Sequence, residues 1–540
     1  SIGEQKSAVF LIRFLDSGPI VFSKERAQDI IFNKQFNNFI REASYDKVFF
    51  SGDVYGWYTL QRNIDSNNNG YPDLPGIGFG GELDEVVKTN NINLDNYKRI
   101  ILLVDHPRFG GGVSMVGTNS MIVNDKNYEI SVSWIGSIQY FNLPSFWGQQ
   151  PFEWTNLDFL LSHELGHALG VLHANSWTCI DNSINGNCYH REYGNFYDAM
   201  GNGGGTMHYN ARFKDLLGWL DQNSILTITR TGTYSIGPLE SSYEVKGAKI
   251  RPIGDIETPI YMEYRRPVGF DTKLNNSEFI DNINGLFINW VQPNSYFLPF
   301  RINIASRLLD MTPDTSITKA TLNPEMTFND PGRGIIIKVK ENNESSIKFD
   351  VVLKEPVCVN NPPFLEYLNY YNGEVKAGEN YYVHGEISNL DSKICEMGNF
   401  KLNVEVPIDW NYNITSISEE NVGYIINILP EERKFVGIDF KIPENTNDGV
   451  YPIKISIINL NGNLKTDQDI WVKVKSLKCS DGTPYNQCSI SKPKYCSKDG
   501  ILISNCRLCG CEKGYMCNFD GDNTCRIIKK RIIYRQLLRD

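Results

Sequence analysis

The chain has 540 residues, 41% hydrophobic and 21% charged, with a formal net charge of −10. That length exceeds one ordinary domain several-fold, so several modules are expected, each with its own core. Acidic and basic residues are interspersed, which leaves no basic footprint for nucleic acid, and no run of about 18 apolar residues is present to cross a bilayer.

From the N-terminus, AVFLIRFL (Ala8 to Leu15) and RIILLVD (Arg99 to Asp105) are aliphatic runs with few charges, and they predict central strands of one sheet. Between them, Ser23 to Arg41 predicts a helix, with Ser23 as N-cap and Glu25, Arg26 and Gln28 on its wet side. Mixed strand and helix patterns continue to residue 222, as in an α/β enzyme domain. From 223 to 354 short alternating runs (YSIGPL, PIYMEYR, GLFINWV, GIIIKVK) predict a β-sandwich packed on it. Glu355 to Pro363, with three prolines, reads as a linker. YYVHGEISNL, FKLNVEVP, KFVGIDFKIP and GVYPIKISIINL then predict an immunoglobulin-like β-sandwich over 364–476.

The segment 477–526 is too polar and small for a hydrophobic core and carries eight of the twelve cysteines. Four disulfides are expected there, with a zinc knuckle at CRLCGC (Cys506 to Cys511) as the alternative. Such density points to an oxidising, extracellular location, and the start at Ser1 rather than Met fits removal of a leader or propeptide. The tail 527–540, containing KKRIIYRQLLR, is basic and amphipathic; it reads as a solvated helix or as a contact for a membrane surface.

Chemistry concentrates in HELGHALGVLH, His163 to His173. Leu157, Leu160, Leu161, Leu165, Ala168 and Leu169 recur at helical spacing, with Thr155 or Asn156 as candidate N-cap. On that helix His163 and His167, four apart, share one face and can share one zinc ion, with Glu164 beside them. Gly170 stops the helix, and the turn returns His173 toward the metal. Three neutral imidazoles leave a fourth tetrahedral position open, the arrangement of a catalytic zinc site in which a nearby carboxylate acts as general base. At this composition the full pattern arises by chance on the order of once in 100,000 chains.

HExxHxxGxxH is the zinc signature of the metzincins, and YDAMG downstream resembles their Met-turn, with Met200 at the position that forms an apolar floor beneath the metal. Within that superfamily FIREASYDKVFFSGDVYGWYTL (Phe39 to Leu60), HELGHALGVLHA, YDAMGNGG and HYNARFKDLLGWL (His208 to Leu220) resemble the gametolysin-like secreted peptidases. The likeness covers about the first 220 residues and, more loosely, the chain to Leu353. It implies an α/β metzincin-type catalytic domain and a secreted zinc endopeptidase with protein or glycoprotein substrates. Ala174 stands where the reprolysin branch carries Asp, and no tyrosine follows Met200 by two residues. Tyr209 is further on. The rival expectation is a surface protein whose C-terminal modules bind carbohydrate or cell-surface partners, with the metallopeptidase domain secondary.

Weaker signals remain. Cys179 and Cys188 predict a disulfide closing the loop between the third histidine and Met200, or two buried thiols. Asp65, Asn67, Asn69 and Asp73 in DSNNNGYPD resemble the first half of a calcium loop but lack a glutamate at the twelfth position, and Asn-rich turns also occur simply as turns. FGGGVSMVGT (Phe109 to Thr118) lacks phosphate-loop spacing and predicts an active-site edge loop. His190 and His208 read either as polar residues on the substrate side or as solvent-exposed histidines.

Overall fold

The computed structural model describes residues 1–20, 23–68, 70–136, 155–179, 184, 188–202, 207–251, 258–275, 283–291, 305–313, 317–367, 374–416, 425–518 and 523–528. They divide into two units: Ser1–Phe364 with Asn389–Gly398 and Leu429–Glu432, and the remainder from Leu365 onward. The protein is mostly β-sheet.

In the first unit, β1 (Gly3–Arg13), β2 (Val48–Thr59), β3 (Arg99–Asp105), β4 (Gly112–Ser114), β5 (Asn119–Val123) and β6 (Lys126–Gly136) form one sheet. Its order is β2-β1-β3-β6-β4, with β5 also on β6. The four longer strands are parallel, while β4 and β5 run antiparallel to β6. A strand covered on both faces reads as an unbroken aliphatic run, which is why RIILLVD is buried at every residue. Alternation divides it: Ile101 and Leu103 join Val9 and Leu11 in the core against the helices, and Ile100, Leu102 and Val104 join Phe10 and Ile12 on the opposite face.

The helix expected over Ser23 to Arg41 is two helices, α1 (Lys24–Gln28) and α2 (Gln35–Ala43), separated by a wider π turn at Asp29–Asn33. Ser23 does cap α1, accepting the Arg26 N–H. The break has a packing cause: Ile30, Ile31 and Phe32 are all buried, more consecutive apolar residues than one α-helical face turns inward. Two further helices follow, α3 (Glu82–Thr89) and α4 (Thr155–Leu169).

After α4 the chain enters a second sheet through β7 (Ala174–Cys179) and β8 (Cys188–Arg191), then forms α5 (Ala211–Leu216). β9 (Ile225–Ile228), β11 (Gly247–Ile250), β12 (Ile260–Glu263), β13 (Phe287–Trp290) and β14 (Ser306–Asp310) complete seven strands in the order β8-β7-β14-β13-β12-β11-β9. A four-stranded sheet of β10 (Gly232–Ile236), β15 (Thr327–Asp330), β16 (Ile335–Asn342) and β17 (Ile347–Leu353) shares its core, with Trp177, Met262 and Trp290 against Ile236, Ile337 and Phe349. The expected boundary between 222 and 223 therefore cuts through this sandwich instead of marking its start. β7 and β8 precede it, yet β7 pairs in parallel with β14. All six residues of β7 are buried, so its backbone groups need a partner on each edge, and β14 and β8 supply them.

The proline-rich segment Glu355 to Pro363 is tied down rather than a free linker. Cys358 is disulfide-bonded to Cys395, Val359 N–H donates to Ser392 Oγ at 2.8 Å, and Asn361 N–H donates to Asp391 Oδ1 at 2.6 Å.

In the second unit, sheets built around Asn380–Ser388 with Arg433–Lys441, and around Gly398–Glu405, Gly449–Asn459 and Leu464–Lys475, enclose one core that includes Ile387, Phe400, Phe440, Ile455 and Val472. The four expected disulfides of the cysteine-rich segment are present as Cys479–Cys496, Cys488–Cys509, Cys506–Cys517 and Cys511–Cys525. All twelve cysteines are paired, which replaces the zinc-knuckle alternative. Among the described residues no helix is long and apolar enough to cross a membrane. Residues 529–540 of the basic tail lie outside the described residues.

Candidate metal centre

α4 buries Leu157, Leu160, Leu161, Leu165, Ala168 and Leu169, as their spacing requires. The side chains of Thr155 and Asn156, the candidate N-caps, lie outside the described residues. The C-terminus of α4 is held twice. Gly170, at φ 120°, turns the chain while its N–H donates to the carbonyls of Gly166 and His167. Arg99 of β3 reaches across to donate to the Ala168 carbonyl at 2.5 Å, placing a cation at the negative end of the helix.

The three histidines of the motif converge. One ring nitrogen from each of His163, His167 and His173 lies within 4.8 Å of the others, and among the described residues this is the one such group of three or more His, Cys, Asp or Glu side chains. Each imidazole is oriented through Nδ1. His163 Nδ1–H donates to the Ala199 carbonyl at 2.9 Å, His167 Nδ1–H to the Val171 carbonyl at 2.8 Å, and His173 Nδ1–H to Glu192 Oε1 at 2.8 Å. With Nδ1 occupied, each ring presents Nε2 as its lone-pair donor, the tautomer a metal ligand needs. Burial, reinforced by the neighbouring rings, holds His163 down at about 3 and His167 at about 4, so both are neutral at physiological pH. Tied tautomers and neutral rings fit a soft-to-borderline dication such as zinc.

Glu164, next to His163 on α4, is buried, and burial alone lifts its carboxyl to about 8. It lies against Gly112 in β4, where a Cβ would stand 2.3 Å from Oε1, so only glycine leaves room for the carboxylate. The glycine-rich run read as an edge loop thus supplies the wall beside Glu164. Beneath the helix Met200 is wholly buried, its Sδ so close to Gly166 that a Cβ there would approach to 2.3 Å. Tyr209 is not near the open side: its hydroxyl donates to the Ser162 carbonyl at 2.5 Å inside the core.

Cys179 and Cys188 form the expected disulfide and are paired residues at the far end of the β7–β8 hairpin. His190 is half-buried on β8 opposite Trp177. His208 is not a surface residue. It is fully buried, with Nε2 2.9 Å from Glu42 Oε1 and Nδ1 2.9 Å from Lys214 Nζ.

Several residues at the centre carry no motif signal. Glu192 and the Ala199 carbonyl orient imidazoles, and the Tyr193 ring stacks 3.9 Å from that of His173 and 5.6 Å from that of His163. Tyr193 takes a left-handed φ of 57°, fixed by its N–H donating to Asn175 Oδ1 and its carbonyl accepting from Asn202. Only the general enrichment of Asn and turn residues after His173 hints at such geometry.

The candidate calcium loop satisfies its own carboxylates. Asp65 Oδ2 pairs with Arg108 Nη1 at 3.1 Å and accepts the Gly70 N–H, while Asp73 accepts from the Ser66 N–H and hydroxyl and from the Asn67 amide. Asn69 lies outside the described residues. A cation at Asp65 must displace a guanidinium. Calorimetric titration with calcium is therefore expected to give no binding heat and no change in Tm; a saturable heat with a raised Tm would establish a calcium site.

No family model matches this chain, and no curated protein matches it. Solved structures that share partial likeness include a FixG-related protein from Vibrio parahaemolyticus, at 14% identity over 21% of this chain and 98% of that one, with a TM-score of 0.17. A family 123 glycoside hydrolase from Clostridium perfringens aligns at 12% identity over 22% of this chain and 28% of that one, with a TM-score of 0.17. Escherichia coli alpha-2-macroglobulin activated by porcine elastase aligns at 10% identity over 46% of this chain and 22% of that one, with a TM-score of 0.18. This chain thus spans about a quarter of the length of the latter two, and scores of this size carry no argument about fold or activity.

Proposed function

We propose that the protein is a secreted zinc-dependent endopeptidase of the metzincin type, similar to the gametolysin-like peptidases, acting on extracellular or cell-wall proteins and glycoproteins. One observation carries the reading: three imidazoles, each oriented through Nδ1, converge beside a buried glutamate. His163, His167 and His173 would hold the metal through Nε2. Zinc in such a site supplies Lewis acidity toward a carbonyl and toward water. Glu164 takes the proton of the attacking water and returns it to the leaving amine. Gly112 keeps the carboxylate's space open. Among the described residues β4 pairs only with β6, so its outer edge is open to an extended peptide bonding as an added strand beside Glu164. Met200 fills the space under Gly166 and provides the apolar floor. Six disulfides accounting for every cysteine support an oxidising compartment, and the second unit reads as a spacer.

A digest of a proteome-derived peptide library by the full chain tests this. The expected result is cleavage at internal bonds, abolished by chelator and restored by zinc. No cleavage by zinc-loaded protein, together with binding of cell-wall glycans, would favour the adhesive reading instead.

A further inference from the structure

We infer that Arg265, just beyond strand β12 of the second sheet, is a positioning residue of the metal centre, holding the 197–200 turn that orients His163 and anchors the exit from His173. The inference rests on the three histidines being a metal centre and goes beyond it, because the motif and the resemblance single out only residues of the first 222.

Arg265 follows β12 and its side chain has no exposed surface. The guanidinium meets three carboxylates: Nε stands 2.6 Å from Glu240 Oε1, Nη2 stands 2.6 Å from Asp271 Oδ2, and Nη1 donates to Glu263 Oε1 at 3.3 Å. Three carboxylates on one guanidinium are an excess of acid groups, and burial raises both Glu240 and Glu263 above the ordinary carboxylate range. The guanidinium's remaining donor capacity goes to backbone: Nη2 donates to the Tyr197 carbonyl at 3.0 Å and to the His208 carbonyl at 3.3 Å. These two carbonyls bracket the Met200 turn. Asp271 adds a second tie, accepting the His208 N–H at 2.9 Å through Oδ1.

Between the bracketing carbonyls the turn is closed by Asp198, which accepts the Met200 N–H at 2.7 Å and the Asn210 N–H at 2.6 Å. The turn then touches the ligand set at three points. Ala199 O accepts from His163 Nδ1, Met200 O accepts the N–H of Ala174 directly after His173, and Met200 Sδ lies against Gly166 between His163 and His167. Tyr197 also packs edge-on against Phe287 of β13, centroids 4.6 Å apart. A displacement of the Tyr197 carbonyl is two residues from the group that fixes the His163 tautomer. A planar fork bonding carboxylates and carbonyls at once is a task lysine does not reproduce.

The test compares the full-length R265K and R265M variants with R333K and R333M. Arg333 is equally a buried arginine of the same sandwich, paired with Asp330 and Glu431. Measured are zinc affinity by competition with a chromophoric chelator, the visible spectrum of the cobalt-substituted protein, and Tm. The Arg265 variants are expected to bind zinc roughly 10–100-fold more weakly, the range for loss of an outer-shell support, with shifted cobalt bands. The Arg333 variants, at a similar loss of Tm, are expected to keep wild-type affinity and bands. D271N, which withdraws one carboxylate at unchanged volume, should give a few-fold weakening and supplies the comparison if R265M does not fold. Wild-type affinity and bands in R265K and D271N, or equal weakening by the Arg333 variants, would overturn the inference while leaving the metal centre intact. A wild-type chain that takes up no zinc would overturn both.

Discussion

Glu164→Gln is expected to lower chelator-sensitive peptide hydrolysis by about 100- to 10,000-fold, the span attributed to a general acid–base group, with zinc content unchanged. The substitution is close to isosteric. Gln fits the space that Gly112 leaves for the carboxylate, and none of the Nδ1 bonds of His163, His167 or His173 involves Glu164. What changes is the capacity to accept a proton from water. Zinc measured by atomic absorption, beside turnover of a peptide chosen from the library digest, separates loss of metal from loss of base. Full zinc with more than a tenth of wild-type turnover would remove Glu164 from the mechanism. Glu192→Gln offers a contrast within the same site: it keeps an acceptor for His173 Nδ1 and leaves Glu164 in place.

The parts of this protein that sequence spells out are those fixed by local periodicity. The leucines of α4 face inward at helical spacing, Gly170 adopts the positive φ that ends the helix, and the two aliphatic runs at Ala8 and Arg99 lie side by side in one parallel sheet. Spacing within eleven residues also brought the three histidines together, because a helix and one turn connect them. Contacts across long stretches of chain left no such trace. Gly112 is 52 positions from Glu164 in the chain, and nothing about a glycine-rich run announces which carboxylate it will face. His208 drew attention for its proximity to the motif, yet its partners are Lys214 and Glu42, the latter 166 residues away.

The domain boundary failed for a related reason. A change from mixed to all-β patterning at residue 223 is real in the sequence, but a sheet recruits strands by hydrogen bonding, and ANSWTC, a short run with little alternation, gave no sign of joining it. Likewise the π turn at Asp29–Asn33 arises where three consecutive apolar side chains all find the core, a tertiary demand that a 3.6-residue reading takes for one continuous helix.

In metal-free protein the same Glu164 is expected to make stability fall as pH rises. Burial raises its carboxyl from the ordinary 4.5 to about 8. Between those values the folded state keeps a proton that the unfolded chain has released, so unfolding is increasingly favoured with rising pH across that window. At about 1.4 kcal/mol per unit the accumulated deficit above pH 8 is on the order of 5 kcal/mol. E164Q buries no ionisable group there. Chelated wild-type and E164Q proteins should therefore melt together near about pH 5, with the variant melting several degrees higher by about pH 9. Zinc should close that gap, because a dication held by three neutral imidazoles favours the carboxylate over the acid. Parallel Tm–pH curves for the two chelated proteins would show that Glu164 is not buried as an acid. The expected divergence would tie the cost of the site to its use: a carboxylate kept from water is destabilising without the metal, and the dication that restores it to the ionised form leaves it able to accept a proton from the attacking water.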